Sequence, residues 1–349
     1  MEAQIVKDSI NTVNHSRLTS FLVTFPRMIN AEVLRHRMLS FNSASSRAIP
    51  LKRTLEMVRE DPAMPVFWGK NKAGMSADEE LDDNEQIKIV SAELQRVDDC
   101  LSAAWDSYEM SKLQVAKQLW VSAGRSMSAV AGVLNELGLH KQIANRILEP
   151  WMNITLLITG TEWENFFKLR ANPSAQPEFQ ELANRMLTAY NFSTPVPMEP
   201  ITLEQVGNLN LWEHHSHIPF DQHRSGVTNI EQLLKVSIAR NARLSYLTHD
   251  GDIRLEDDLA LFERLESNGH WSPFEHTAVA VDCAQFFGNL KGWFPYRKLY
   301  LNENAQDPRV IKKKVIINPE RACTHTTTSG KYIPKYIVVN DMEHPEEIV

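Results

Sequence analysis

The chain has 349 residues, 43% of them hydrophobic, with 37 Lys and Arg against 44 Asp and Glu, a formal net charge of −7. That balance argues against a general nucleic-acid binder, whose domain is usually basic. Glycine is scarce, 13 residues or about 4% against an ordinary share of about 7%, and neither glycine-rich phosphate loop occurs, so any nucleotide must be held by side chains.

The length fits one large domain or two modest ones. Leu18–Phe25 is rich in β-branched and aromatic residues and reads as a strand. Pro26 suits a first helical turn, with Met28, Ile29, Val33 and Leu34 as apolar positions and an end near Leu39. The Ser/Asn-rich stretch Ser40–Arg47 reads as loop. Residues 51–84 read as irregular, and the acidic run Asp78–Glu85 as a solvated helix start. Ile87–Gln118 lacks Gly and Pro and reads as a long helix; Gly138 ends one helix and Pro150 the short one after it. Met152–Arg170 reads as a helix with Leu157, Ile158 and Phe166 on an apolar stripe.

Asn172–Gln176 is a turn, and Pro177 opens a helix whose buried face is Phe179, Leu182, Ala183, Met186 and Leu187. Residues 191–230 read as a loop or insertion. Ile230–Arg243 and Arg254–Asn268 read as helices, Thr277–Asp282 as a strand, with further strand candidates after Lys312. The expected domain plan is therefore 1–190, an insertion at 191–230, and 231–349. The three cysteines, Cys100, Cys283 and Cys323, have no C-x-x-C spacing and suit a reducing cytosol; Cys283 and Cys323 read as buried small hydrophobes. No apolar run approaches the roughly 18 residues of a membrane span, and the first residues lack a signal-peptide profile, so a soluble cytoplasmic protein without membrane contact is expected.

Four constellations could carry chemistry. The densest is Arg35-His36-Arg37 followed by Ser40, Asn42, Ser43, Ser45, Ser46 and Arg47. It is rich in donors and poor in acceptors, which suits a phosphate or a carbonyl-bearing heterocycle. The same residues also suit a helix C-terminus and a polar loop. A second group comprises Arg146, Asn165, Arg170, Asn172 and Gln176; Arg170 either reaches a ligand over a partly buried stem or pairs with a neighbouring carboxylate. A third, Gly269-His270-Trp-Ser272-Pro-Phe-Glu275-His276, offers imidazoles beside an acid and a hydroxyl for proton transfer, ligand contact or a metal, though two histidines six apart across a proline do not match a helical zinc pair. Arg243, Ser245 and Tyr246 stand just upstream. The fourth, His214-His215-Ser216-His217 with His223, has no metal-ligand spacing and reads as a polar loop, so no metal is expected.

The run Arg35-His36-Arg37-Met-Leu-Ser40-Phe-Asn42-Ser43-Ala-Ser45-Ser46-Arg47 resembles the signature of flavin-dependent thymidylate synthases. Two further segments are similar to that family: Gly138–Pro150 with Asn165–Arg170 and Ala175–Glu178, resembling its substrate helices, and Arg243-Leu-Ser245 with Ser272–His276, resembling its opening segment. The opening segment here follows the others, an order that a circular permutation explains. Together these stretches cover about half the chain.

The resemblance implies an α/β (α+β) fold, a mostly antiparallel sheet flanked by helices with added helical and loop regions. It implies reductive methylation of dUMP to dTMP, with methylenetetrahydrofolate giving the carbon and FAD relaying hydride from NADPH. By the same resemblance Arg35, His36, Arg37, Asn42, Ser272, Glu275 and Asn165 would contact FAD, and Ser45, Arg47, Arg146 and Arg170 would hold dUMP. Arg170 would stabilise charge developing on the uracil, and His270 would stand near flavin and folate. The implied assembly is a homotetramer. Glu32, Ser43, Ala48 and Thr159 depart from the family's Gln, Glu, Tyr and Asn, and the Arg146 segment fits with a one-residue shift. These departures keep a flavin-dependent hydroxymethylase acting on dUMP or dCMP as the alternative, with a non-catalytic nucleic-acid binder as a remote one.

Overall fold

The chain is described here by a computed structural model covering residues 1–45, 48–74, 77–81, 111–221, 226–244 and 254–300. Met1–Tyr296 forms one structural unit and Arg297–Val349 another, of which only residues 297–300 are described.

Strands β1 (Glu2–Asn11) and β2 (Arg17–Pro26) form a hairpin. Its turn closes because Asn11 Oδ1 accepts from the amides of Val13 and Asn14, while His15 adopts φ 58°. After a 3-10 turn at Arg27–Ile29, helix α1 runs only from Asn30–Val33. Strand β3 (Ser40–Ser43) and helix α2 (Leu51–Glu60) follow. Helix α3 (Lys112–Glu136) starts at a capping box between Ser111 and Gln114 and stops before Gly138 at φ 87°. Helix α4 (Lys141–Ala144) continues into a 3-10 segment, Asn145–Trp151. Strand β4 (Asn153–Gly160) then leads to helices α5 (Glu164–Arg170) and α6 (Pro177–Phe192).

The remainder holds β5 (Val196–Met198), β6 (Ser216–His217), α7 (Ile230–Ala242), α8 (Leu255–Ser267), a 3-10 turn at Ser272–Glu275, and β7 (Ala278–Ala280). Short strands β8 (Phe286–Phe287), β9 (Leu290–Lys291) and β10 (Trp293–Pro295) complete it. The main sheet has the order β3-β4-β2-β1-β5, antiparallel except for the β1–β5 pair. A second sheet, β10-β7-β6, is antiparallel throughout. The expected α/β architecture with a mostly antiparallel sheet is thus what the chain forms.

One face of the main sheet carries Phe21, Val23, Phe25, Ile154, Leu156 and Ile158, all buried beneath Phe179, Leu182, Ala183 and Met186 of α6. The i, i+3, i+4, i+7 spacing read from Phe179 onward is this face, while Leu187, also expected on it, is only half-buried. The opposite face carries Leu157, covered by Ala44, Phe220 and Leu244. Residues expected to be an insertion therefore include part of the core, with Trp212 and His217 fully buried.

Several expectations are corrected. Met152–Arg170 is not one helix but β4 followed by α5; β4 is buried on both faces, and Leu157 breaks the alternation that would have marked it as a strand. The helix expected to reach Leu39 ends at Val33, since the chain must turn back for Ser40–Ser43 to pair with Leu156–Thr159. The same pairing makes the start of the Ser/Asn run a strand rather than a loop. Residues 51–60, read as irregular, form α2, with Leu51, Thr54 and Val58 on its buried side. Pro150 lies inside the 3-10 segment instead of ending it. Ser216 and His217 form a buried strand, not a polar loop. Cys283 is half-buried rather than buried. The helix expected over Ile87–Gln118 does not run through residue 111: Ser111 is an extended N-cap, and the helix begins at Lys112 and continues to Glu136. The helix start expected at Asp78–Glu85 is not formed at 78–81, where Glu80 bridges Gly69 instead. The remainder of both stretches, Ser46, Arg47, His223, Ser245, Tyr246, Cys100, Cys323 and the strands after Lys312 lie outside the described residues. No described helix is long and apolar enough to cross a membrane.

Helices α7 and α8 are joined through Asp258, fully buried between Arg240 Nε at 2.9 Å and Arg243 Nε at 3.1 Å. Removing one partner of a buried ion pair leaves an uncompensated charge. Asp258→Ala should destabilise the fold by about 3–5 kcal/mol, measured by urea denaturation; a loss below about 1 kcal/mol, the range of exposed pairs, would count against that role.

Candidate active site

The Arg-His-Arg run sits in a succession of tight turns. Arg35 N donates to Glu32 O, His36 N to Val33 O, Arg37 N to Arg35 O and Leu39 N to His36 O. This geometry presents Arg35 and Arg37 to solvent and turns His36 inward, its ring edge-on to Phe166 at 5.0 Å and to Phe179 at 5.7 Å. Across the gap, in the last turn of α5, Arg170 Nε donates a 2.8 Å hydrogen bond to His36 Nε2. Its guanidinium carbon lies 4.7 Å from the Phe179 ring centroid. Because Nε2 accepts, the neutral ring carries its proton on Nδ1. Burial, then the Arg170 cation, holds the His36 pKa below its usual value.

These side chains line a cleft of about 620 Å³ with Asn165, Lys168, Glu162 and Glu164. The side chains of Arg35 and Arg37 make no hydrogen bond or ion pair among the described residues. The cleft therefore offers open guanidinium donors beside a cation, Arg170, whose orientation is fixed by a neutral imidazole. Such a donor set suits an anionic ligand that also bears carbonyl oxygens.

A second hollow, of about 280 Å³, lies on the other side of β3 and is lined by Asn42, His270, Trp271 and Ser272 with Ala242, Leu265 and Pro273. Ser272 Oγ donates to Phe41 O at 2.8 Å. Asn42 Nδ2 donates to Asn241 O, and Asn241 Nδ2 in turn to Pro273 O at 2.9 Å. Gly269, at φ 66°, lets the chain leave α8 and swing His270 to this position. The segment 270–276, more than 220 residues from the Arg-His-Arg run, is thereby packed directly on the strand that follows that run.

The structure thus brings Arg35, His36, Arg37, Asn165 and Arg170 into one cleft, and Asn42, His270 and Ser272 into a neighbouring hollow. Glu275 is half-buried at the end of its 3-10 turn and Ser45 is exposed beyond β3. Arg146 stands elsewhere: its Nη1 lies 2.8 Å from Glu149 Oε1, which also meets Arg27 Nη2 at 3.0 Å. Arg170 partners an imidazole, not the carboxylate that its position near a helix end also suggested. Among the described residues no three His, Cys, Asp or Glu converge as a metal site requires.

Sequence reasoning passed over Lys168 in the cleft and a buried polar chain behind it. His217 Nδ1 meets Ser9 Oγ at 3.0 Å and its Nε2 meets Ser20 Oγ at 2.8 Å. Ser20 Oγ meets Thr159 Oγ1 at 2.6 Å, and Thr159 Oγ1 meets His276 Nδ1 at 2.8 Å. His276 Nε2 is buried without a partner among the described residues. An orphaned N–H is rarer than an orphaned acceptor, which favours a proton on His276 Nδ1. The chain then runs one way: His276 Nδ1–H to Thr159, Thr159 to Ser20, Ser20 to His217 Nε2, and His217 Nδ1–H to Ser9. The signal that would have found it was Ser9, Ser20 and Thr159 standing among apolar strand residues.

The family model for thymidylate synthase complementing protein matches residues 4–196, more than half of the chain. The chain belongs to that family. No curated protein matches it. Among solved structures it is similar to two of flavin-dependent thymidylate synthase ThyX from Helicobacter pylori, both with FAD and dUMP. Identity is 20% and 19%; each match covers 51% of this chain and 72% of the other, with a TM-score of 0.29.

Two outcomes follow from the electrostatics. Arg170→Ala should raise the His36 pKa partway to its ordinary value, because one cause of its depression is removed while burial remains; histidine NMR titration reads this, and an unmoved His36 would refute the coupling. Burial also lowers His276 to about 3 and His217 well below its usual value. The unfolded chain takes up these protons below about pH 6.5 and the fold does not, so stability is full above that pH and lost on acidification. Each such histidine should remove about 1.4 kcal/mol per pH unit below about 6.5. Denaturation midpoints between pH 7 and 4 measure it, and a flat profile would contradict the buried neutral pair.

Proposed function

We propose that this chain catalyses the reductive methylation of dUMP to dTMP, with methylenetetrahydrofolate as carbon donor, NADPH as reductant and FAD as cofactor. The observation that carries the reading is Arg170, held by His36 and Phe179 beside two open guanidinium groups in one cleft of a chain from this family. That donor set fits a pyrophosphate-bearing flavin and an anionic nucleotide, because its cations are offered from side chains rather than a glycine-rich loop. When bound, FAD supplies the hydride chemistry, which no side chain can.

The chain's own residues then bind and orient. Arg35, Arg37, His36 and Asn165 would hold the cofactor from the first cleft, with Asn42, Ser272 and Glu275 contributing from the other side of β3. Arg170 spends its Nε on His36, leaving its terminal nitrogens to face a pyrimidine carbonyl and stabilise negative charge developing there. His270 would stand near flavin and folate. Ser45, Arg47 and Arg146 would grip dUMP. Since Arg146 is paired with Glu149 away from the cleft, a site using all of these residues draws on more than one copy of the chain, in keeping with a homotetramer. The packing of Ser272 on Phe41 supports a permuted order, in which the segment 243–276 supplies what the family carries ahead of its signature.

Purified protein should take up FAD and, with dUMP, methylenetetrahydrofolate and NADPH, yield dTMP. Arg170→Ala should keep FAD while turnover falls at least about 100-fold, the scale of a lost oxyanion donor. A colourless protein that takes up no flavin would sink the reading. A 5-hydroxymethyl product without NADPH consumption would replace methylation by hydroxymethylation.

A further inference from the structure

The turn that presents Ser272 is held at both of its ends. At the first, Ser272 Oγ donates to Phe41 O in β3. At the second, four residues on, the buried ring of His276 meets Thr159 Oγ1. Thr159 lies directly opposite Ser40 in the β3–β4 ladder. One residue of β4 therefore faces the signature strand with its backbone and the end of the 272–276 turn with its side chain. A segment fixed at one point can pivot; fixed at two points, one on β3 and one on its ladder partner β4, it cannot.

We propose that Thr159 and His276 are positioning residues, which set the His270–Glu275 segment against the strand that follows the Arg-His-Arg turn and so shape the flavin-binding surface. The assignment rests on the flavoenzyme reading given above and goes beyond it, because neither residue touches either cavity. The Thr159 hydroxyl is specific to the arrangement: it accepts from His276 Nδ1 and donates to Ser20, as a two-way relay must. Ser20 continues to His217 and Ser9, so the anchor reaches strands β2, β6 and β1 and is not a free-standing pair. Valine has the shape of threonine without the hydroxyl, and serine keeps the hydroxyl without the methyl.

The test compares wild type, Thr159→Val and Thr159→Ser. Amide hydrogen exchange of the ligand-free protein reads the anchor, and FAD titration by flavin fluorescence reads its consequence. Thr159→Val should remain folded by circular dichroism, exchange amides 271–277 at least tenfold faster while those of α6 are unchanged, and bind FAD at least tenfold more weakly. Thr159→Ser should restore both to within about threefold. Faster exchange with unchanged FAD affinity, or unchanged exchange at 271–277, would overturn the positioning role. Exchange accelerated equally in α6, or a Thr159→Val chain that does not fold, would reduce Thr159 to a core residue; His276→Asn, which can keep a donor near the Nδ1 position, must then behave like Thr159→Ser or the role is lost. No FAD uptake by wild type would instead remove the flavoenzyme reading itself, and the exchange data would distinguish that failure from a failure of the anchor.

Discussion

Burial of β4 on both faces is the constraint on which the rest of the molecule depends. Ile154, Leu156 and Ile158 close the helix-side core with α6, while Leu157 and Thr159 point the other way and receive segments from the C-terminal half of the unit. The strand pairs β2 on one edge and β3 on the other. It therefore fixes the height and tilt of β3, and β3 carries the chain from the Arg-His-Arg cleft to the hollow at Asn42. Had β4 been covered on one face only, the segment 270–276 would have had no surface on which to bring His270 and Ser272 to the signature.

The two faces are held by different physics. The helix side is an apolar and aromatic cluster in which Phe21, Trp163, Phe166 and Phe179 meet edge to face or tilted. The opposite side mixes apolar contacts with a buried chain of hydroxyls and imidazoles. Each partner that such a chain loses costs about 1–3 kcal/mol, and of its atoms His276 Nε2 is already left without one among the described residues. The chain of bonds therefore selects one register and one docking of the distant segment, where apolar packing alone tolerates several. The same property ties the fold to pH, because both imidazoles must enter the interior uncharged.

His36 shows how the cleft inherits its chemistry from the core. Its ring is gripped by Phe166 and Phe179, residues that belong to the apolar cluster. That grip lowers the pKa, leaves Nε2 as an acceptor, and so gives Arg170 a fixed partner that does not neutralise it. A carboxylate in the same place would have bound Arg170 more tightly and cancelled its charge. The imidazole orients the guanidinium and leaves it fully cationic for a ligand.

The sequence by itself determined the parts whose signal is local. The β2 strand, the α6 face beginning at Pro177, the helices near 230–243 and 254–268 and the Gly138 stop all follow from propensity and periodicity. So does the donor-rich composition around Arg35–Arg37, and family resemblance rested on the same contiguous residues. Only the tertiary structure decided what depends on a distant partner. Met152–Gly160 is largely buried on both faces, and the apolar run Leu156-Leu157-Ile158 breaks its alternation, so its period does not tell strand from helix until its neighbours are known. Ser40–Ser43 is polar enough to be a loop, and becomes a strand because β4 offers it a ladder. Arg170 could have met a carboxylate, and meets His36 because two aromatic rings hold the imidazole there. His276 and Thr159, 117 positions apart, read as unrelated residues in the sequence; a hydrogen bond between buried groups is a property of the folded interior, which is why no local pattern announced it.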